Sequence, residues 1–322
     1  MPRGGAVAQA VGVVAKMRAA LGDPEPGELM EGLLVRVVSG LSIPLDHRLA
    51  HRVFLGGTFR IALLDVLAGG AVVDEGRGDV LLALGQSKPG LDPVQGMAGA
   101  FELEPRFLKA MREACNATEA LLIFDEVQTG MGRTGNWFAY QQFGVQPDIM
   151  TLAKGISSSY LPLGATLATD EVAAEFAAPG KHLKHVFTFA GPPAAAAAGL
   201  KNIELIQNEG LVDQAASNGE YLAEKLRDLQ QQHSIIGDVR GVGFMQALDL
   251  VADRDTREIY PADVKLVEQI NAKFKDRRLL IKAHSGHLIN LSPPLCTTRD
   301  DLDEIVEGIS EVLGEVQAEL DV

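Results

Sequence analysis

Asp125 follows the apolar run Ala120-Leu121-Leu122-Ile123-Phe124, and Lys154 follows Thr151-Leu152-Ala153 just before Gly155. Both residues end short apolar runs that lack helical spacing. Such runs, bounded by polar residues, suit strands buried on both faces of a parallel sheet. Ligands of open α/β sheets collect at the carboxyl ends of strands. A primary amine placed there can form a Schiff base with an aldehyde. A carboxylate beside it can keep a pyridine nitrogen protonated, so that the ring draws electrons from an attached carbon. An Asp and a Lys so placed are the minimum constellation for pyridoxal 5'-phosphate. A single lysine after a strand is more often a solvated cation, so the pair needs its surroundings to acquire meaning.

Those surroundings are Asp125-Glu126-Val127-Gln128-Thr129-Gly130-Met131-Gly132-Arg133-Thr134-Gly135, then Pro147-Asp148-Ile149, Ala153-Lys154-Gly155 and Leu161-Pro162-Leu163-Gly164-Ala165. Phe187-Thr188-Phe189-Ala190-Gly191, Gly237-Asp238-Val239-Arg240-Gly241-Val242-Gly243 and Leu291-Ser292-Pro293-Pro294-Leu295 continue the series. In order and spacing these blocks resemble the class III (ω-) aminotransferases, which are pyridoxal-phosphate enzymes of fold type I. The resemblance spans residues 92–322. It implies an α/β chain with a mostly parallel central sheet flanked by helices, and a smaller C-terminal α+β domain. Residues 1–209 would form the large cofactor-binding domain, with 1–91 poorly matched, and residues 210–322 the small one.

The resemblance also implies roles. Lys154 would form the Schiff base and move the proton, with a pKa lowered by burial and neighbours. Asp125 would pair with the pyridine N–H, and Gln128 would hydrogen-bond the ring O3′. Thr188 would reach the phosphate from a partner subunit, which makes the expected assembly a homodimer. The expected reaction moves an amino group, in two half-reactions, from an amine, an ω-amino acid or a related amino acid to a 2-oxo acid such as pyruvate. A decarboxylase or epimerase using the same cofactor, and a paralogue without catalysis, are the alternatives.

The chain departs from the family in four places. Gly4-Gly5-Ala6 stands where a Gly/Ser-rich turn should offer amides to a phosphate at a helix start. Arg36-Val37-Val38-Ser39-Gly40 stands near the place of an aromatic–His–Gly element. Asp92-Pro93-Val94-Gln95-Gly96 carries Asp where the family has Glu. Asn290 occupies a position where several amino-acid-specific relatives carry an arginine for the substrate α-carboxylate.

The elements that must position these residues can be read in turn. Residues 6–21 suggest an apolar helix, Leu33–Val38 and Val80–Leu84 suggest strands, and 107–115 suggests a helix burying Leu108 and Met111. Val145–Leu152 reads as a turn and a strand delivering Lys154, Gly155–Tyr160 as a loop, and Leu161–Thr169 as the next strand. Pro192 and Pro193 suit the first turn of a long helix through Gln207. An amphipathic helix is expected over 210–230. Ile235–Gly241 reads as a turn, Phe244–Leu250 as a strand, and Leu279–Lys282 and Leu288–Leu291 as further strands. Thr298 with Asp301 caps a last helix whose stripe is Leu302, Ile305, Ile309 and Leu313. Arg240 suits either a bound carboxylate or an internal ion pair with Asp238 or another acid.

Gly130-Met131-Gly132-Arg133-Thr134-Gly135 also matches G-x-G-x-x-G. A dinucleotide site would need a strand directly before it, a helix opening at its end and an acid further on. Glu126–Thr129 intervene and Asn136-Trp137-Phe138 follows, so a tight loop near a subunit interface is the expectation. His47 and His51 have zinc-compatible spacing without a third ligand, so they read as surface histidines and no metal is expected.

The net charge of −14 over 322 residues argues against nucleic acid or an anionic membrane as partner. The two cysteines, Cys115 and Cys296, make no disulfide framework, which places the expected protein in a reducing cytoplasm.

Overall fold

The computed structural model describes residues 34–38, 60–62, 91–177, 179–181, 183 and 191–320, the first two segments as backbone alone. The expectations for the helix at 6–21, the Gly4–Ala6 turn, His47 and His51, the strand at Val80–Leu84 and the block around Thr188 lie outside the described residues. Two compact units are present. The first takes in the described residues through Pro93, then Glu104–Met131 and Phe138–Glu209. The second takes in Val94–Leu103, Gly132–Trp137 and the chain from Gly210 on.

In the first unit, strands β1 (Leu34–Val38), β2 (Arg60–Ala62), β3 (Ala120–Asp125), β4 (Ile149–Leu152) and β5 (Gly164–Ala168) form one sheet in the order β1-β5-β4-β3-β2. The pairs β2–β3 and β3–β4 are parallel, whereas β5 runs antiparallel to β4 and to β1. Four strands therefore share one direction and β5 opposes them. In β3, Ala120, Leu122 and Phe124 are buried while Leu121, Ile123 and Asp125 are half-buried. This corrects the expectation of two equally buried faces. Side chains alternate across a strand, and Asp125 lies on the more open side.

Helix α1 (Pro105–Thr118) begins with a proline at its first position, where no amide hydrogen bond is lost. Its three- and four-residue spacing puts Leu108, Met111 and Cys115 on the buried face. Glu119 ends it in the left-handed region, its N–H bonding Cys115 O. Asp148 of the Pro147-Asp148-Ile149 block pins these elements together. Its Oδ2 accepts from Leu122 N at 2.6 Å and from Arg112 Nη1 at 2.7 Å, so one carboxylate fixes the start of β4 against β3 and α1. Helix α2 (Pro193–Asn208) opens after Pro192 and completes the first unit.

The second unit is a four-stranded antiparallel sheet with helices. Strands β6 (Ile236–Val242), β7 (Met245–Leu250), β8 (Lys282–His284) and β9 (Leu288–Leu291) are arranged β8-β9-β7-β6. Helices α3 (Leu211–Gln232), α4 (Leu266–Asp276) and α5 (Arg299–Glu319) bury Leu222, Leu226, Ile270, Phe274, Leu302 and Ile309 in the same core as Phe244, Leu248 and Ile289. Thr298 caps α5 by accepting from Asp301 N, and Asp301 reciprocates at Thr298 N. The buried stripe of α5 keeps Leu302, Ile309 and Leu313, leaves Ile305 half-buried, and adds Val306, Val312 and Val316.

Two readings of this unit need correction. Ile235–Gly241 is not a turn: Ile236–Val242 is a full strand, and the hairpin bends at Gly243, whose φ is 54°. Leu279–Ile281 is not strand either. Leu279 N bonds Phe274 O at the end of α4, Leu280 is fully exposed, and β8 starts only at Lys282.

The Gly243 bend is packed closely. A Cβ at Gly219 of α3 would meet Gly243 C, Cα and O at 2.4–2.5 Å. Backbone cannot give way as a flexible side chain can. Gly219→Ala should therefore lower stability by about 3 kcal/mol, the upper range for overpacking. Gly314 in α5, with only His233 Cε1 at 3.8 Å, should by contrast gain about 0.5–1 kcal/mol as alanine from helix propensity. Urea unfolding midpoints of the two variants check this. Equal shifts would contradict the close approach.

Candidate active site

The parallel register of β3 and β4 sets Asp125 opposite Thr151. Asp125 closes β3, and Lys154 comes three positions beyond Thr151, so the carboxylate and the amine belong to the same carboxyl edge of one sheet. The half-buried Asp125 is held in place. Its Oδ1 accepts from Val127 N at 3.0 Å and from Thr151 Oγ1 at 3.2 Å. The ladder continues one step further, with Glu126 N bonding Thr151 O at 3.0 Å.

Lys154 begins a 3₁₀ turn over Lys154–Ser157, where a plain loop was expected. Its φ of 42° is in the left-handed region, which costs a residue with a Cβ on the order of 1–3 kcal/mol. Lys154 is exposed, which corrects the expectation of burial around its amine, and Gln128 is half-buried in the turn that leaves β3.

The sequence reading passed over Glu126. It is only 1% exposed and accepts from Ala139 N at 3.0 Å, from Tyr140 N at 2.9 Å and from the Thr129 hydroxyl. Burial pushes its pKa up, while Thr129 and the two amides oppose that shift. Three donors around one buried carboxylate tie the Gly130 loop to the helix at Ala139–Phe143. The available signal was an acid directly after a buried strand, masked by its more exposed neighbour. The G-x-G-x-x-G stretch is indeed a series of turns. No helix opens at Gly135, since the next one begins at Ala139, so the dinucleotide geometry is absent here.

Of the remaining candidates, Arg240 resolves as an ion pair. Burial lowers its pKa, yet hydrogen bonds to Asp238 at 2.9 Å and Asp249 at 2.8 Å hold it above its usual value, and Nε donates to Gly99 O. Asn290 Nδ2 donates to Gly96 O at 2.8 Å, and its Oδ1 is buried without a partner among the described residues. Cys115 is buried and Cys296 exposed, each as a free thiol. Among the described residues no group of His, Cys, Asp and Glu could hold a metal, and no helix is long and apolar enough to cross a membrane. Thr188, Gly4–Ala6 and Ser39–Gly40 lie outside the described residues, so the fit to pyridoxal phosphate can be tested only at its ring nitrogen and aldehyde. There a fixed carboxylate and a primary amine are the donor set these groups need.

A family model for class III aminotransferases matches residues 91–313. The taurine–pyruvate aminotransferase of Bilophila wadsworthia is 36% identical over 252 residues, which is 74% of this chain and 55% of that protein. Among solved structures, an (S)-enantioselective ω-transaminase from Thermomicrobium roseum superposes with a TM-score of 0.67 at 37% identity, covering 70% of this chain and 50% of the other. An amine transaminase from an uncultivated Pseudomonas species, solved with pyridoxal phosphate bound, gives 0.66 at 36% identity over 70% and 51%. The chain thus spans about half the length of the proteins it matches. The sheet with its reversed β5 is the α/β architecture of fold type I.

Proposed function

Since the chain belongs to the class III aminotransferases, we propose that it moves an amino group from a primary amine or ω-amino acid to a 2-oxo acid such as pyruvate. The observation that carries this reading is the placement of Asp125 and Lys154 at the carboxyl ends of neighbouring parallel strands, inside the stretch matched by the family. When bound, pyridoxal phosphate supplies an electron sink for the carbon that loses its proton.

The chain's own residues do the rest. Lys154 Nζ would hold the cofactor through its aldehyde carbon, the aldehyde oxygen leaving as water, and, once the substrate's amine has displaced it, the freed amine would carry the proton to and from the substrate. Asp125 keeps the ring nitrogen protonated by offering it a negative charge already oriented by Val127 N and Thr151 Oγ1. Gln128 would donate to the ring hydroxyl oxygen. Thr188 binds the phosphate of the partner subunit's site in a homodimer. The first unit is the cofactor domain, the second completes the enzyme, and the cytoplasm is the compartment.

Substrate class follows from a neutral residue. Asn290 offers an amide where α-amino-acid-specific relatives carry arginine, so a donor without an α-carboxylate is favoured. The likeness to the Bilophila taurine–pyruvate aminotransferase supports an ω-amine donor.

The test is the visible absorption of the purified protein mixed with pyridoxal phosphate, before and after borohydride, with peptide mapping. We expect a visible band that bleaches on reduction and a covalent label on Lys154. A colourless mixture, or a label on other lysines alone, would overturn the reading.

A further inference from the structure

The Lys154 turn is an unfavourable piece of backbone. Lys154, Ser158 and Ser159 all have positive φ, at 42°, 48° and 60°. The turn bonds to itself through Ile156 N to Ala153 O, Ser158 N to Gly155 O and Lys154 O, Ser159 N to Lys154 O, Tyr160 N to Ser157 O and Ser157 Oγ to Leu161 O, which leaves the Ile156 carbonyl and the Ser158 hydroxyl to partners outside it.

Asn202 of α2 takes up these groups from outside the turn. Its Nδ2 donates to Gly155 O at 2.8 Å and to Ile156 O at 3.3 Å, while its Oδ1 accepts from Ser158 Oγ at 2.6 Å. One amide thus holds the residue after Lys154, the next one and the far end of the turn. The two carbonyls require a donor, which fixes the orientation of the amide.

A second observation points the same way. Gly199 lies one helical turn before Asn202 on the same face of α2. A Cβ there would meet Leu163 Cδ2 at 2.6 Å and Ile156 O at 3.4 Å. The missing side chain lets this face of α2 come close to the turn, and Asn202 spans the remaining gap. On the opposite side Met131 closes the clamp, since a Cβ at Gly155 would meet Met131 Cβ at 2.9 Å.

We propose that Asn202 is the positioning residue for Lys154: it holds the left-handed turn that presents the lysine amine to an aldehyde. This rests on the function proposed for Lys154 and extends it to a residue of another element. Asn202 itself touches no reacting atom. It restricts where Nζ can be, which is how a remote contact alters a reaction rate.

The experiment uses the full chain and the variants Asn202→Ala, Asn202→Asp and Ser158→Ala. Two quantities are read: backbone amide exchange in peptides covering 154–160, and the rate at which pyridoxal phosphate is trapped on Lys154 by borohydride relative to the exposed Lys109 and Lys282. In Asn202→Ala we expect exchange at Ser158 and Ser159 to rise and the relative trapping rate at Lys154 to fall, each about tenfold, for the loss of two or three hydrogen bonds. Asn202→Asp keeps the acceptor for Ser158 and loses both donors, so it should match Asn202→Ala. Ser158→Ala keeps both donors and should change trapping about twofold or less.

A residue with a merely structural role would alter exchange across the unit and leave the ratio between lysines untouched. Wild-type exchange in Asn202→Ala, or a wild-type trapping ratio, would overturn the inference. Absence of any trapping on Lys154 in the unsubstituted chain would overturn the proposed function instead, and amide exchange would still decide whether Asn202 holds the turn.

Discussion

In a Lys154→Ala chain, amino transfer from a primary amine to pyruvate is expected to fall by about four orders of magnitude or more, because the same Nζ is both the attachment point and the proton carrier. The loss should be chemical and not conformational. The Lys154 side chain is exposed, so alanine opens no cavity in the core. Alanine also carries a Cβ and bears the same left-handed penalty at a φ of 42°. Stability read from the urea midpoint should therefore shift by about 1 kcal/mol or less, small beside the loss of turnover. Lys154→Arg provides the complementary case. Arginine keeps the positive charge but stays protonated at any working pH, so it neither attaches the aldehyde nor accepts a proton. Both variants should be equally inactive in a coupled assay of alanine formed from pyruvate. Activity within tenfold of the unsubstituted chain in either variant would remove Lys154 from the scheme.

The stretch around Asp125 was legible because local and tertiary demands agree there. An apolar run of strand-forming residues ended by acids has few other ways to be buried, and it became β3. The Pro147–Leu152 segment likewise became a turn and β4. Strand direction was less accessible. Nothing local in Gly164–Ala168 says that it runs against β4, since pairing direction depends on the path of the connection between the strands. Asp148 shows why the family block around it is informative: its carboxylate binds the amide of Leu122 and the guanidinium of Arg112, far apart in sequence.

The errors have equally physical sources. Gly237, Asp238 and Gly241 have the composition of a turn, yet they sit in β6. A register shift between Ile236 and Asp238 absorbs Gly237, where a Cβ would strike Val251 at 2.7 Å. Glycine there serves close packing and not bending. Leu279–Ile281 is apolar because Leu279 and Ile281 pack on the core of the second unit from a connection, while Leu280 points to solvent. At the site, Glu126 and Asn202 escaped notice for one reason. Each acts by bonding backbone atoms of distant residues, and backbone partners leave no pattern of side-chain types in a sequence.

The role of Asp125 separates cleanly from its geometry in Asp125→Asn. The substituted side chain has the same shape, and its Oδ1 can still accept from Val127 N and Thr151 Oγ1, so the end of β3 and the turn after it should persist. The negative charge is lost, and Oδ2 becomes an amide that donates where the carboxylate accepted. A carboxylate opposite a pyridinium stabilises the charged ring most where water is partly excluded, as at this half-buried position. Turnover should fall by about 10²–10³-fold, the scale for losing one preorganised electrostatic partner. The urea midpoint should change little, and trapping on Lys154 should survive, because attachment does not need the ring charge. Asp125→Ala should lose more, since it also frees Val127 N and Thr151 Oγ1 from their common acceptor. Equal losses in the two variants would mean that the charge alone matters and that the hydrogen bonds to Val127 N and Thr151 Oγ1 contribute nothing to turnover, whereas loss in Asp125→Ala alone would mean that Asp125 shapes the turn and does not supply charge. Wild-type turnover in Asp125→Asn would remove the carboxylate from the chemistry.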